Sequence, residues 1–275
     1  MTTPSDNESE VSAGRSAARA EFVSLITAHA ENIPLLEATA WICAEERGVD
    51  DISTFMSMAN ELSDGLFIPD DTSIVEAIAR INHHLFVDLG FIGDDDNFDH
   101  PDNSMIDSVI TRRQGLPILL CVVMMHTANR VGVPLHGIGF PTHFLVAPDG
   151  ALPRFFIDPF NGGRILRSEQ LEQWFQRISE RSSDRLPPFN WWLKPVSARQ
   201  ILARINNNLK GSYVRRNDLD GALRCVERLL LLTPDAIEAR RDRGLLRFEL
   251  GQEEEGAKDL DAYLAARNFE GIPTD

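Results

Sequence analysis

Residues 112–158 read RRQGLPILLCVVMMHTANRVGVPLHGIGFPTHFLVAPDGALPRFFID. Gly115-Leu116-Pro117 is a turn that delivers a proline to the first helical position, where its missing N–H is no loss. The apolar run from Ile118 to Val131 is long enough for a buried helix, and Gly132-Val133-Pro134 stops it. Leu135 to Phe140 has the composition of a strand. His143-Phe144-Leu145-Val146 and Arg154-Phe155-Phe156-Ile157 are short apolar runs on either side of the turn signal Pro148-Asp149-Gly150, which predicts a hairpin. With Phe144 facing Ile157 and Leu145 facing Phe156, His143 would stand directly opposite Asp158. Directly opposed Cβ atoms lie about 4.5–5.5 Å apart, within hydrogen-bonding reach for an imidazole and a carboxylate.

A histidine held by an aspartate in front of a helix N-terminus is the arrangement of a cysteine hydrolase or acyltransferase. The carboxylate fixes the imidazole tautomer, the imidazole takes the thiol proton, and the helix end favours the thiolate. The first helical position, where the nucleophile would stand, is Pro117. The cysteine of this helix is Cys121, one turn further on at about 6 Å of helix rise. Its neighbours Leu119, Leu120, Val122 and Val123 are those of a buried structural cysteine.

Four blocks in this order carry a family resemblance: Asn103-Ser104, Arg112-Arg113-Gln114-Gly115-Leu116-Pro117-Ile118, Phe140-Pro141-Thr142-His143-Phe144-Leu145-Val146 and Ile157-Asp158-Pro159-Phe160-Asn161-Gly162-Gly163. Together they resemble the transglutaminase-like core of the bacterial SirB family. The segments around Pro34 to Ala38 and Asn82 to Phe91 fit that family's helical leader. In active transglutaminases the motif implies a Cys-His-Asp triad, and His143 and Asp158 match its second and third members. Pro117 stands where the Cys would be, as in SirB-type sequences, so the resemblance does not imply classical transglutaminase or protease activity.

The rest of the chain is organised around this core. Residues 1–15 are polar with almost no large apolar side chain and are predicted to be a disordered tail. Helical spacing follows from Ala17, from Pro34 to Glu46, from Thr54 to Leu62 and from Ser73 to Asp88, with Asp71-Thr72-Ser73 as the capping region before Ile74. The acidic loop from Asp94 to Asp102 fails the EF-hand spacing and is predicted to be a solvated turn rather than a calcium site. Adjacent His83 and His84 point about 100° apart on a helix and do not form a metal pair. Ser168 to about Ile178 is a short amphipathic helix with Leu171, Trp174, Phe175 and Ile178 on one face. Trp191-Trp192 marks a connecting segment whose aromatic rings are expected to dock one domain on another.

The net charge of −15 is uneven, with −18 in residues 1–110, +5 in 111–200 and −2 in 201–275. The acidic first third would repel phosphates, which disfavours nucleic-acid binding. Three cysteines without CxxC spacing argue for a reducing compartment and against a zinc site. No signal-peptide pattern and no apolar run of membrane-spanning length is present, so a cytoplasmic protein is expected.

The C-terminal 70 or so residues repeat at a period of 34: Asn208 with Asp242, Asn217 with Gly251, Ala222 with Gly256, Val226 with Leu260 and Leu230 with Leu264. The period is similar to tetratricopeptide repeats. Small residues at Ala222 and Gly256 fit a close helix crossing, and Pro234 follows the second helix. Such repeats imply a protein or peptide partner. The carboxylate-clamp pattern is not supplied by Asn207, Gly211, Arg241 and Leu245, which leaves the ligand class open.

The reading is therefore α+β: a helical leader, a transglutaminase-like (papain-like) core with a small antiparallel sheet, and C-terminal helical-repeat hairpins. Its expected divisions are a tail at 1–15, the core at 16–180, a linker at 181–200 and repeats at 201–275. Candidate catalytic residues are His143, Asp158 and Cys121, as a degenerate triad. Candidate binding residues are Asn103, Pro117, Asn207 and Tyr213. No metal or cofactor is expected. Two functions follow from this: a non-enzymatic or regulatory interaction module acting through the repeats, or a thiol hydrolase or acyltransferase using Cys121, His143 and Asp158.

Overall fold

The computed structural model describes residues 4–149, 155–182 and 186–269. They divide into two compact units, Met1–Phe98 with Asp102–Ile201, and Asp99–Pro101 with Leu202–Asp275.

The first unit opens with helices α1 (Pro4–Ala28), α2 (Leu35–Arg47), α3 (Ser53–Glu61) and α4 (Ile74–Asn82). Ser73 caps α4 as its spacing predicts, accepting a hydrogen bond from the Glu76 N–H. The chain then widens into a π-helical turn, His83–Asp88. The expected disordered tail is corrected here, because α1 begins at Pro4. Its buried side is a stripe of Gly14, Ala18, Phe22 and Ile26, with the small residues in the N-terminal half. A Cβ on Gly14 would lie 2.1 Å from the Gly48 carbonyl oxygen, so the helix approaches the end of α2 as closely as backbone allows. Arg19 donates to the buried Glu45 carboxylate at 2.8 Å from Nε, which ties the two helices by charge as well.

Helix α5 (Ile106–Arg112) leads into α6 (Pro117–Arg130), the helix that the apolar run predicts. Its residues from Pro117 to Met124, with Thr127 and Ala128, are all buried. A helix apolar on all sides belongs inside a domain, and each fully buried Leu, Ile, Val or Met contributes about 1.5–3 kcal/mol as an upper estimate. Two very short strands, β1 (Ile92–Gly93) and β2 (Gln114–Gly115), pair in parallel just before it.

The antiparallel sheet runs in chain order: β3 (Leu135–Ile138), β4 (Leu145–Pro148), β5 (Phe155–Asp158) and β6 (Arg164–Arg167). Helix α7 (Ser168–Arg181) follows and sets Trp174, Phe175 and Ile178 against a sheet core of Ile138, Phe140, Leu145, Ala147, Phe156 and Leu166. The described residues of the expected linker belong to the same body. Phe189, Trp192 and Leu193 pack on that core, and the Val196 N–H donates to the Gly137 carbonyl at 3.0 Å. Trp192 thus covers the sheet of its own unit, while Trp191 stays half exposed.

The second unit is helical. Its repeats are built from α8 (Ala198–Arg215), α9 (Leu219–Leu232), α10 (Ile237–Glu249) and α11 (Glu253–Phe269), α8 starting in the first unit. The glycine marked by the repeat sits at the helix crossing: a Cβ on Gly256 would meet the Gly244 carbonyl at 3.0 Å. Ala222, Val226, Leu229, Ala239 and Leu246 form the apolar centre.

Candidate functional site

The entrance of α6 is held by backbone and by one polar network. Arg113 takes the left-handed conformation at φ 60°, which turns the chain out of α5 and into β2. The Leu116 N–H then donates to the Asn103 carbonyl at 3.0 Å, and Pro117 occupies the first helical position. Asn103 is fully buried, with its amide nitrogen donating to Asp94 at 3.1 Å and to the Asn97 carbonyl at 2.7 Å. Its amide oxygen accepts from Arg112 at 2.7 Å. Asn103 therefore spends its polar atoms inside the protein. The acidic loop is not wholly solvated either: Asp94 is 6 % exposed and serves as the acceptor of this network. Burial alone would raise the Asp94 pKa. Hydrogen bonds from Asn97 and Asn103, with the Arg112 charge, outweigh it and hold the carboxyl below its ordinary value.

The hairpin brings His143 and Asp158 together, though not in the expected register. Val146 pairs with Ile157, where Phe144 was expected, so β4 is displaced by two residues along β5. Side chains alternate faces with period two, and a displacement of two keeps His143 on the side that Asp158 faces. His143 itself lies just before β4, after Thr142 at φ 59°, a left-handed conformation that costs a β-branched residue energy. Its Nε2 sits 2.8 Å from Asp158 Oδ1, and both side chains are buried. Asp158 also accepts from Asn161, at Oδ1 from the backbone N–H at 3.3 Å and at Oδ2 from the side-chain amide at 2.7 Å.

Two aromatic rings that the sequence reading did not single out for the site enclose the imidazole. Phe160 meets it edge to face at 5.8 Å, and Trp174 lies against it at 5.0 Å. Phe160 connects the pair to the helix entrance. A Cβ on Gly93 would lie 2.5 Å from the Phe160 ring, and Gly93 is the strand partner of Gly115, two residues before Pro117. Such a neighbour to an Asp-His motif and an amphipathic-face tryptophan are visible in the sequence, but their convergence is a product of packing.

The sulfur of α6 faces a backbone carbonyl. Cys121 is 0 % exposed, and its Sγ donates to the Phe144 carbonyl at 3.5 Å. Cys43 is also buried; it accepts from the Ile106 N–H at 3.1 Å, and burial pushes its thiol far above the ordinary range. Tautomer fixed by Asp158, His143 has the geometry of a general base, with Nδ1 as the nitrogen not committed to the carboxylate. Among the described residues no group of three His, Cys, Asp or Glu side chains is placed to hold a metal ion. His84 hydrogen-bonds the Leu62 carbonyl at 2.8 Å and His83 faces Asp88 at 3.4 Å.

In the second unit Tyr213 packs into the repeat core, where its ring would meet a Cβ on Gly221 at 2.9 Å. Its side chain is partly buried there. Asn207 is exposed. A cleft of about 410 Å³ in this unit is lined by Lys210, Gly211, Val214, Arg215, Leu245 and Glu249 among others. Lys210 pairs with Asp242 at 2.6 Å across it. The 34-residue repeat held the signal for this cleft, since Gly211 and Leu245 are equivalent positions in it.

Comparison with known proteins finds two families along the chain. Residues 50–207 match the transglutaminase-like superfamily, and residues 209–270 match the tetratricopeptide repeat. A UPF0162 protein of Xylella fastidiosa strain 9a5c is 36 % identical over 254 residues, covering 88 % of this chain and 86 % of the relative. UPF0162 protein YchA of Escherichia coli K12 is 28 % identical, covering 78 % and 77 %. Protein SirB1 of Salmonella typhimurium is 26 % identical, with 78 % and 77 % covered. No solved structure matches the chain.

Proposed function

The chain belongs to the SirB family of the transglutaminase-like superfamily and carries tetratricopeptide repeats, and from that premise we propose that it is a protein-interaction module without classical transglutaminase activity. The transglutaminase-like domain keeps the imidazole and carboxylate of a thiol enzyme as a buried structural pair. The repeats take a protein or peptide segment. Nucleic acid is not the partner, given the net charge of −15. The observation that carries this reading is the pairing of Pro117 at the first helical position with a Cys121 sulfur buried against the Phe144 carbonyl. A thiol shielded from water and bonded to a carbonyl is a poor nucleophile. We place the protein in the cytoplasm because its three cysteines are buried and outside any disulfide, the pattern of a reducing compartment. Among the described residues no helix is long and apolar enough to cross a membrane.

The repeat cleft supports the interaction half. Val214 and Leu245 in its lining are about half exposed, and Lys210, Arg215, Asp242 and Glu249 line it with both signs of charge. That combination suits an extended or helical segment with an apolar anchor and charged flanks. A photo-crosslinking amino acid replacing Val214 in the full chain, expressed in cells, is expected to give one discrete protein adduct that Leu245→Asp abolishes. The same crosslinker at the exposed Phe67 serves as the control. Equal adducts from both positions would overturn the interaction reading.

A further inference from the structure

The charges of the repeat cleft narrow its occupant, on the proposal above that this cleft takes a protein segment. Lys210 and Arg215 line it from α8, and Asp242 and Glu249 from α10. Three of the four are committed inside the unit. Lys210 Nζ lies 2.6 Å from one oxygen of Asp242, whose other oxygen accepts from Arg241 Nη2 at 2.7 Å. Arg215 folds back along its own helix, so that its Nη1 stands 3.4 Å from where a Cβ on Gly211 would lie, and its Nη2 donates to Asp99 Oδ1 at 2.5 Å. Asp99 belongs to the same compact unit, and its carbonyl also accepts from Arg216 at 2.8 Å. Glu249 is exposed and has no hydrogen bond or ion pair among the described residues.

That missing pair has a structural cause. Arg215 and Glu249 are equivalent positions of the 34-residue repeat and line the same cleft, which makes Arg215 the cation of the lining best placed in the sequence to neutralise Glu249. Asp99 holds it instead. An incoming segment therefore meets one uncommitted charge, and it is negative. Leu245 stands one turn before Glu249 on the same face of α10, and Val214 lines the cleft from α8, both about half exposed. A carboxylate-bearing segment would have to displace Asp99 from Arg215 or Asp242 from Lys210, exchanging one exposed ion pair for another with little gain. The net charge of −15 favours a cationic partner at longer range, and a second copy of the chain carries the same charge.

We infer that the repeat cleft selects a cationic protein segment, whose Lys or Arg pairs with Glu249 while a neighbouring apolar side chain covers Leu245 and Val214. Asp99 is a positioning residue in this account. It keeps Arg215 away from Glu249 and so leaves the carboxylate open to the partner.

The test uses the full chain and short capped peptides that share a pair of leucines one helical turn apart and differ in their flanking positions, which are all lysine, all glutamine or all glutamate. Isothermal titration gives the affinities, and the methyl resonances of Val214 and Leu245 report where the peptide sits. We expect the lysine peptide to bind about fivefold more tightly than the glutamine peptide, the scale of one partly exposed ion pair, and the glutamate peptide to bind weakest. The preference should vanish in about 1 M salt, where charges are screened within about 3 Å. Glu249→Gln, at an exposed position, should erase it, whereas Arg215→Gln should not. A glutamate peptide that binds best and loses its advantage in Arg215→Gln would overturn the inference in favour of a carboxylate ligand. Equal affinities, no saturable binding of the lysine peptide, or a Val214 crosslink to a second copy of this chain would overturn it as well. A discrete Val214 adduct in cells together with equal peptide affinities would leave the interaction reading standing and remove only the cation preference, and no adduct would remove both.

Discussion

On the strand side of the candidate site, His143 and Asp158 are buried, bonded at 2.8 Å, and supported by Asn161, Phe160 and Trp174. On the helix side a proline fills the first helical position, and the thiol of the same helix is turned to the Phe144 carbonyl. One half is built to the tolerance of an enzyme and the other has no exposed nucleophile. A buried base and carboxylate stabilise the fold whether or not they do chemistry, because each satisfies the other and breaking the pair strands a charge. A nucleophile has no such second role.

The largest effect we expect tests the strand side. Asp158→Ala leaves His143 and the Asn161 amide without their acceptor in a buried site, at about 3 kcal/mol. Hydrogen exchange of the β5 amides under mild urea would measure it. A loss below about 1 kcal/mol would show that the pair is not the stabilising unit described above.

The next test concerns the scaffold of the helix side. Asp94→Asn weakens the charge-assisted bonds from Asn97, Asn103 and Arg112, at about 1–2 kcal/mol near pH 7. The folded carboxyl titrates below its unfolded value. Its stabilisation is therefore complete above the unfolded pKa of about 3.9 and disappears as pH falls through the lower folded value. Urea midpoints of the two chains should differ most above about pH 4 and converge on further acidification. A gap that widens in acid would contradict this assignment.

The smallest expected change in free energy sharpens the contrast between the halves. Pro117→Cys puts a thiol at the helix N-terminus, where the dipole and His143 favour thiolate. Its alkylation by iodoacetamide at neutral pH should exceed that of Cys121 by about tenfold or more, and His143→Ala in the same chain should slow it. Equal rates at the two positions would mean that the helix entrance and the imidazole do not share a site.

How much of this was legible in the sequence depended on whether the signal was local. The α6 helix, its Pro117 start and the Ser73 cap are written in consecutive residues. The His143–Asp158 pair was legible despite a wrong register, since an error of two residues preserves the face. The order of the part of α1 before Ala17 was not, because Gly14 carries no hydrophobic signature and matters only where another backbone comes close. The Asp94–Asn103–Arg112 network was hidden for a related reason. Its acid sits in a run of acids that resembles a solvated loop, and only the tertiary fold singles out one of them for burial. The packing of Tyr213 on the repeat core was not legible, because a repeat motif does not say which of its positions face inward.

The most direct measurement is the rate at which iodoacetamide labels Cys121 in the native full chain at pH 7, with the modified cysteine located by mass spectrometry. We expect labelling much slower than in the urea-unfolded chain and unchanged by His143→Ala. Labelling faster than in the unfolded chain, and slowed by His143→Ala, would contradict the claim that this fold keeps the base pair without a working thiol.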